Sequence, residues 1–194
     1  TVLILASLTS TQVSAALPIV PESGQSALYR EIIERLDARH YRAQSIDDKL
    51  SERYLDQYIE MLDPGKSYFL RSDIEEFSQW KLKLDDLAKR GDVKPGFVMF
   101  NRLRDRAIDQ LNQNIALLED ADYLIEYDTN ESVILDPDKR VWHDSAPAAA
   151  LHWEKRIKDS MIRLVLNEKD PTEARELLIK RYTTQIKQYE QRDS

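Results

Sequence analysis

The sequence predicts an all-α domain of about six helices, and three observations carry that expectation. Apolar residues recur every three or four positions over most of the chain. Helix start and stop residues stand where those periodic runs begin and end. The composition, 42% hydrophobic with 8% aromatic, supplies enough apolar surface for a packed core in 194 residues.

The first amphipathic helix is predicted from Ser26 to Tyr41, with Leu28, Ile32 and Leu36 on its inward stripe and Ile33 and His40 beside it. The second begins at Ile46. There Leu50, Tyr54, Tyr58 and Met61 form one stripe, which Leu55, Ile59 and Leu62 widen, until Asp63-Pro64-Gly65 stops the helix. Ser72 and Glu75 have capping-box spacing, which predicts a third helix running to Arg90, facing Ile74, Phe77, Trp80, Leu84 and Leu87 inward and ending at Gly91. Pro95 suits the first turn of the fourth and longest helix, whose stripe Phe100, Leu103, Ala107, Leu111, Ile115 and Leu118 ends near Glu119.

Between Asp120 and Ala146 the helical period is lost. Tyr123 to Tyr127 and Val133 to Leu135 are short apolar stretches that fit either a small β-hairpin or an extended loop over the helices. Pro147 and the following alanines open a fifth helix through Trp153, Ile157, Met161, Leu164 and Val165. Asp170-Pro171-Thr172-Glu173 combines an N-cap, a first-turn proline and a first-turn glutamate, and Leu177, Leu178, Tyr182, Ile186 and Tyr189 carry the sixth helix almost to the end.

At the N-terminus, Val2-Leu3-Ile4-Leu5-Ala6 begins an apolar run, and Val13-Ser14-Ala15 has the small residues at alternate positions that a signal peptidase reads. Residues 1–16 are therefore expected to be part of a signal peptide, residues 17–25 an exposed linker rich in Pro, Gly and Ser, and residues 26–194 one helical domain. There is no cysteine, so neither disulfides nor thiol chemistry enter. The net charge of −7 has mixed signs: Lys83, Lys89, Arg90, Arg102, Arg104 and Arg106 alternate with Asp85, Asp86, Asp92, Asp105 and Asp109. Such a distribution argues against a nucleic-acid face, which needs an unneutralised basic patch.

Candidate chemistry within the chain is sparse. Lys49 and Ser51 are the nearest approach to a serine-lysine dyad, but two residues apart on a helix they diverge, and both read as surface. His143 and His152 with Asp144 or Glu154 match no standard metal spacing, and ordinary packing or surface roles are expected for them and for His40. Asp47-Asp48, Glu75-Glu76 and Asp85-Asp86 read as solvated faces or helix-start charges. No catalytic, cofactor or metal residue is assigned. Tyr54, Tyr58, Tyr68, Phe69, Phe97 and Phe100 together exceed what one small core needs, so part of this group is expected to form an exposed patch for another domain, an adaptor or a second protomer.

The segment Leu62-Asp63-Pro64-Gly65-Lys66-Ser67-Tyr68-Phe69-Leu70-Arg71-Ser72-Asp73-Ile74-Glu75-Glu76-Phe77 resembles the Leu-Asp-Pro-His-x-x-Tyr-Leu signature of carboxyl-terminal processing (tail-specific) proteases, peptidase family S41. Gly65 stands where the signature usually has histidine, and Phe69 is inserted before Leu70. Leu36-Asp37-Ala38-Arg39-His40-Tyr41 before it, and Asp138-Lys139-Arg140-Val141-Trp142, Leu151-His152-Trp153-Glu154-Lys155-Arg156 and Arg181-Tyr182 after it, follow the family's order. The resemblance implies a non-catalytic N-terminal helical region of a periplasmic endopeptidase. Its PDZ module and serine-lysine catalytic domain would lie outside this sequence, and no dyad residue can be carried onto this chain. It further implies unstructured polypeptide substrates entered from their C-termini, and a lipoprotein adaptor or homo-oligomer as partner, with no cofactor. The alternative reading is a free-standing periplasmic helical interaction module.

Overall fold

The computed structural model describes residues 17–39, 46–126 and 130–191. Among them are seven α-helices and no strand. They are α1 (Gln25–Arg39), α2 (Asp48–Leu62), α3 (Arg71–Phe77), α4 (Leu84–Lys89), α5 (Lys94–Glu119), α6 (Ala146–Leu166) and α7 (Pro171–Glu190). The predicted leader, residues 1–16, and the predicted helix end at His40 and Tyr41 lie outside the described residues.

The spine is α5, whose 26 residues span roughly 39 Å at the α-helical rise. Its apolar stripe serves two cores in succession. Near its start, Met99 and Leu103 join Leu55 and Ile59 of α2, Phe69 and Phe77. Further along, Leu111 and Leu118 join Ile157 and Met161 of α6 and Ala174, Leu178 and Tyr182 of α7. Tyr189 packs against both cores and ties the end of α7 back to the first.

Local signals account for several boundaries. Asp47 accepts from the Leu50 N–H at 3.0 Å at the start of α2, and Asp170 accepts from the Thr172 N–H at 2.8 Å at the start of α7. Gly91 adopts φ +73°, and the Asp92 N–H closes back on the Leu87 carbonyl at 2.8 Å. A Cβ at Gly91 would also lie 2.4 Å from the Ser26 carbonyl oxygen, so this glycine admits the start of α1 against the turn.

The predicted third helix is the main correction. It is broken into α3, a 3₁₀ turn (Ser78–Trp80) and α4. Ser78 Oγ donates back to the Ile74 carbonyl at 2.9 Å, and the new start at Leu84 is stabilised from elsewhere: Ser51 Oγ accepts the Asp85 N–H at 2.8 Å. The capping box is also displaced. Helix α3 begins at Arg71, and its N-terminal donor, the Leu70 N–H, is taken by Asp73 at 2.9 Å rather than by the Ser72–Glu75 pair. Over residues 120–146 the chain is irregular where described, with a 3₁₀ turn at Pro137–Lys139 and one isolated parallel bridge between Leu70 and His143. The hairpin is replaced by the extended loop.

Two predicted inward stripes turn outward. On α1, Leu28, Ile32 and Leu36 are exposed, whereas Tyr29 and Ile33 are half-buried. On α2, Tyr54 and Met61 are exposed, and the buried line is Ser51, Leu55 and Ile59. The reason is that α1 packs chiefly against the short α4, which covers only one side of it. The segment 17–25 is tethered: Asn101 accepts from the Ile19 N–H at 2.9 Å and donates to the Ile19 carbonyl at 2.8 Å.

Asp73 is buried beneath two arginines of α5. Arg106 grips it side-on, with Nε and Nη2 at 3.0 and 3.1 Å, and Arg102 bridges it to Glu76. Burial alone would raise its pKa, but Arg106, the Leu70 N–H and Arg102 outweigh that and hold the carboxyl below its ordinary value. Its stabilising contribution is therefore complete above the unfolded carboxylate pKa of about 4 and disappears as pH falls through the lower folded value. Asp73→Asn is expected to cost about 3 kcal/mol at pH 7 in urea denaturation, because two arginines lose their carboxylate. Between pH 7 and pH 3 the variant should also lose stability less steeply than the parent.

Candidate functional site

The Asp-Pro-Gly turn after α2 is organised by Asp63. Its carboxylate is buried and accepts the N–H groups of Ser67, Tyr68 and Phe69 at 2.8, 3.0 and 3.0 Å. With Pro64 ending the helix and Lys66 in the left-handed region at φ +46°, these bonds fix the loop to Leu70 in one shape. Helix α6 then reads the loop from above. Trp153 Nε1 donates to the Ser67 carbonyl at 2.9 Å, and Arg156 Nη1 donates to Ser67 Oγ at 2.8 Å. From the irregular segment, Arg140 donates to the carbonyls of Gly65, Ile134 and Leu135, and Lys66 donates to the Arg140 carbonyl.

His143 and His152 come together here with ring centroids 4.9 Å apart. Burial lowers both pKa values. For His152 the neighbouring His143, Arg156, Arg140 and Lys155 push further, to about 4, so this imidazole is neutral at pH 7. Among the described residues no group of three or more His, Cys, Asp and Glu side chains is arranged to hold a metal ion.

The surface position expected for Ser51 is corrected, whereas Asp85 takes the helix-start role, in the first turn of α4, and is buried there. Ser51 is buried, and its hydroxyl donates to Asp85 Oδ1 at 2.8 Å while accepting the Asp85 N–H. Both hydrogen-bonding capacities of that hydroxyl are spent on a helix start, and Lys49 is exposed on another face. Burial opposes ionisation of Asp85, but Ser51, Lys89 and the Asp86 N–H hold its carboxyl below the ordinary value. The 34-residue separation of Ser51 and Asp85 left no local sequence signal for the pair.

The surplus aromatics divide. Phe69 is fully buried and Tyr68 packs on Trp153, but Tyr54, Tyr58, Phe97 and Phe100 line an apolar groove of about 820 Å³. One wall is α1, through Tyr29, Ile32, Ile33 and Leu36, and the other is α2 with the first turns of α5. Ile19 lies at its edge, and Tyr58 Oη donates to the Gly96 carbonyl at 3.2 Å in its floor. Because Tyr54 is 58% exposed and Ile32 45%, the groove opens to water. Contiguous apolar concavities of this kind are uncommon on the surface of a monomer.

The described residues form an all-helical domain with a built Asp-Pro loop and an open aromatic groove, and no helix among them is long and apolar enough to cross a membrane. Residues 32–194 match the family model described as the tail specific protease N-terminal domain, and the chain belongs to that family. It is similar to the "Tail-specific protease" of Haemophilus influenzae, with 31% identity over 179 residues, which is 91% of this chain and 25% of that protein. The chain thus spans about a quarter of the length of the curated relative it matches.

Two substitutions in the groove wall, Ile32→Glu and Tyr54→Glu, are expected to abolish enhancement of an anilinonaphthalene dye's fluorescence. They should change folding stability by only about 0.5 kcal/mol each, as surface changes do. Trp153→Phe, which leaves the Ser67 carbonyl without its donor, should by contrast cost about 1 to 3 kcal/mol in the same denaturation assay.

Proposed function

We propose that this chain is the non-catalytic N-terminal helical domain of a periplasmic carboxyl-terminal processing serine endopeptidase. In this reading it forms part of the wall around the proteolytic chamber and presents the surface on which the rest of that enzyme docks. The observation that carries the reading is the open groove between α1, α2 and α5, apolar and ringed by aromatics, in a chain of a family defined as an N-terminal domain.

The physical role follows from shape. A rigid helical wall narrows access to a proteolytic site, and only a flexible chain passes a narrow opening without unfolding. Such an enzyme therefore selects polypeptides with disordered C-termini, and the helices supply selectivity without touching the scissile bond. The grooved face suits docking because burying aromatic side chains contributes about 25 cal/mol per Å² of apolar surface. The remainder of the protease, with its PDZ and catalytic domains, is the primary occupant. A lipoprotein adaptor or a second protomer would use the surface left over.

The test uses the chain and the catalytic remainder of such a protease, produced separately. They are expected to associate, and the Ile32→Glu/Tyr54→Glu pair should weaken association by about tenfold or more. The chain alone should leave an unstructured polypeptide intact. Sustained cleavage by the chain after repurification, or no association with the unsubstituted chain, would overturn the proposal.

A further inference from the structure

On the side of the molecule where the Asp-Pro loop meets α6, Arg156 is held in an unusual state of preparation. Its guanidinium carbon lies 4.3 Å from the centroid of the Trp153 ring, and its Nη1 donates to Ser67 Oγ at 2.8 Å. Those two contacts fix the plane of the group and leave one edge, Nε with Nη2, without an acceptor among the described residues. Arg156 is half-buried, and neither nitrogen is among the described buried side-chain atoms that lack a partner. That edge is the one that grips a carboxylate side-on. The chain already shows the grip at Arg106, whose Nε and Nη2 hold the two oxygens of Asp73 at 3.0 and 3.1 Å.

Other cationic side chains gather near Arg156. Arg140 reaches the same turn, donating to the Gly65 carbonyl at 3.2 Å, and Ser67 Oγ donates to that same carbonyl at 3.0 Å. Lys66 is spent on the Arg140 carbonyl and lies over Trp142. Among the described residues, no carboxylate forms an ion pair with Lys66, Arg140 or Arg156. Asp63, whose charge acts on Arg156, has both oxygens committed to backbone N–H groups, and Asp144 pairs with Arg71. Burial and then Arg140 push the Arg156 pKa down, against the smaller opposing effects of Tyr68, Tyr182 and Asp63. Gly65 makes the convergence possible. A Cβ there would lie 3.0 Å from Ser67 Oγ and 3.4 Å from Arg140 Nη1, and this is the position at which the chain departs from the histidine of its family's signature.

We propose that the Gly65–Ser67 turn, Arg140 and Arg156 form a carboxylate-accepting site, in which Arg156 Nε and Nη2 bind the two oxygens and Arg140 supplies the second positive charge; that the carboxylate is carried by a polypeptide rests on the function proposed above. The ligand chemistry is a carboxylate carried by a peptide, from either a free C-terminus or an Asp or Glu side chain. A purely structural Arg156, serving only to anchor the loop to α6, predicts no ligand response at this edge.

The experiment follows the Arg156 Nε–H resonance of the chain, identified by its loss in Arg156→Lys, while three tetrapeptides are added at constant ionic strength. One has a free C-terminus and no acidic residue. The second is amidated and contains one glutamate, and the third is amidated without glutamate. A saturable shift with the first or second and none with the third is the expected result, and which of the two saturates identifies the source of the carboxylate. Arg140→Gln should weaken binding several-fold, and Arg156→Lys, which keeps the charge but not the fork, by about tenfold or more, read from peptide-induced shifts of neighbouring amides. No saturable shift with either carboxylate on the unsubstituted chain, or equal shifts with the uncharged peptide, would overturn the proposal whatever the variants do.

Discussion

The Asp63 carboxylate, wrapped by the backbone N–H groups of Ser67, Tyr68 and Phe69, is the interaction on which the rest of the molecule leans. Three charge-assisted hydrogen bonds compensate the burial of this acid and give the loop a single conformation. That conformation drops Phe69 into the core against Phe77, with ring centroids 5.3 Å apart, and turns the Ser67 carbonyl toward Trp153. It also lines up Leu70 for its bridge to His143 and starts α3 in register with Asp73. The loop between the consecutive helices α2 and α3 is thereby shaped to meet α6, which is remote from both in sequence.

The second organising feature is a pair of buried acids at helix starts, each held by side chains distant in sequence. Asp73 serves a helix start and two arginines at once, and Asp85 with Ser51 does the same for α4. Burying acids in this way adds little net stability beyond what apolar residues would give, but removing one partner is expensive. The arrangement therefore fixes which way each short helix points. That directional control opens the groove, since α1 rests on α4 and leaves its Ile32 and Leu36 stripe uncovered opposite Tyr54.

Two exposed features stand apart on this frame, the groove and the outer edge of Arg156. The groove is apolar and broad, suited to a standing interface. The Arg156 edge is small, charged and pre-set by stacking, suited to recognising one group. They stand on different elements, α1 with α2 and α5 for the first, the Asp-Pro loop with α6 for the second, so one can be disabled without the other.

Helix content was written in the sequence because periodicity and capping are local: α5, α6 and α7 begin within a residue or two of the starts that Pro95, Pro147 and Asp170-Pro171 predict, and α2 ends at the Asp63-Pro64-Gly65 stop. The excess of aromatics likewise announced an exposed patch. Tertiary structure alone decided which stripes face inward, because amphipathic periodicity states that a helix has an apolar face and not what covers it. It also decided the break between α3 and α4, which depends on a Ser51 hydroxyl 34 residues away, and the meeting of Arg140 with Arg156 over the Gly65–Ser67 turn. Such contacts cost no local signal, since a hydrogen bond between distant residues leaves the spacing of their neighbours unchanged.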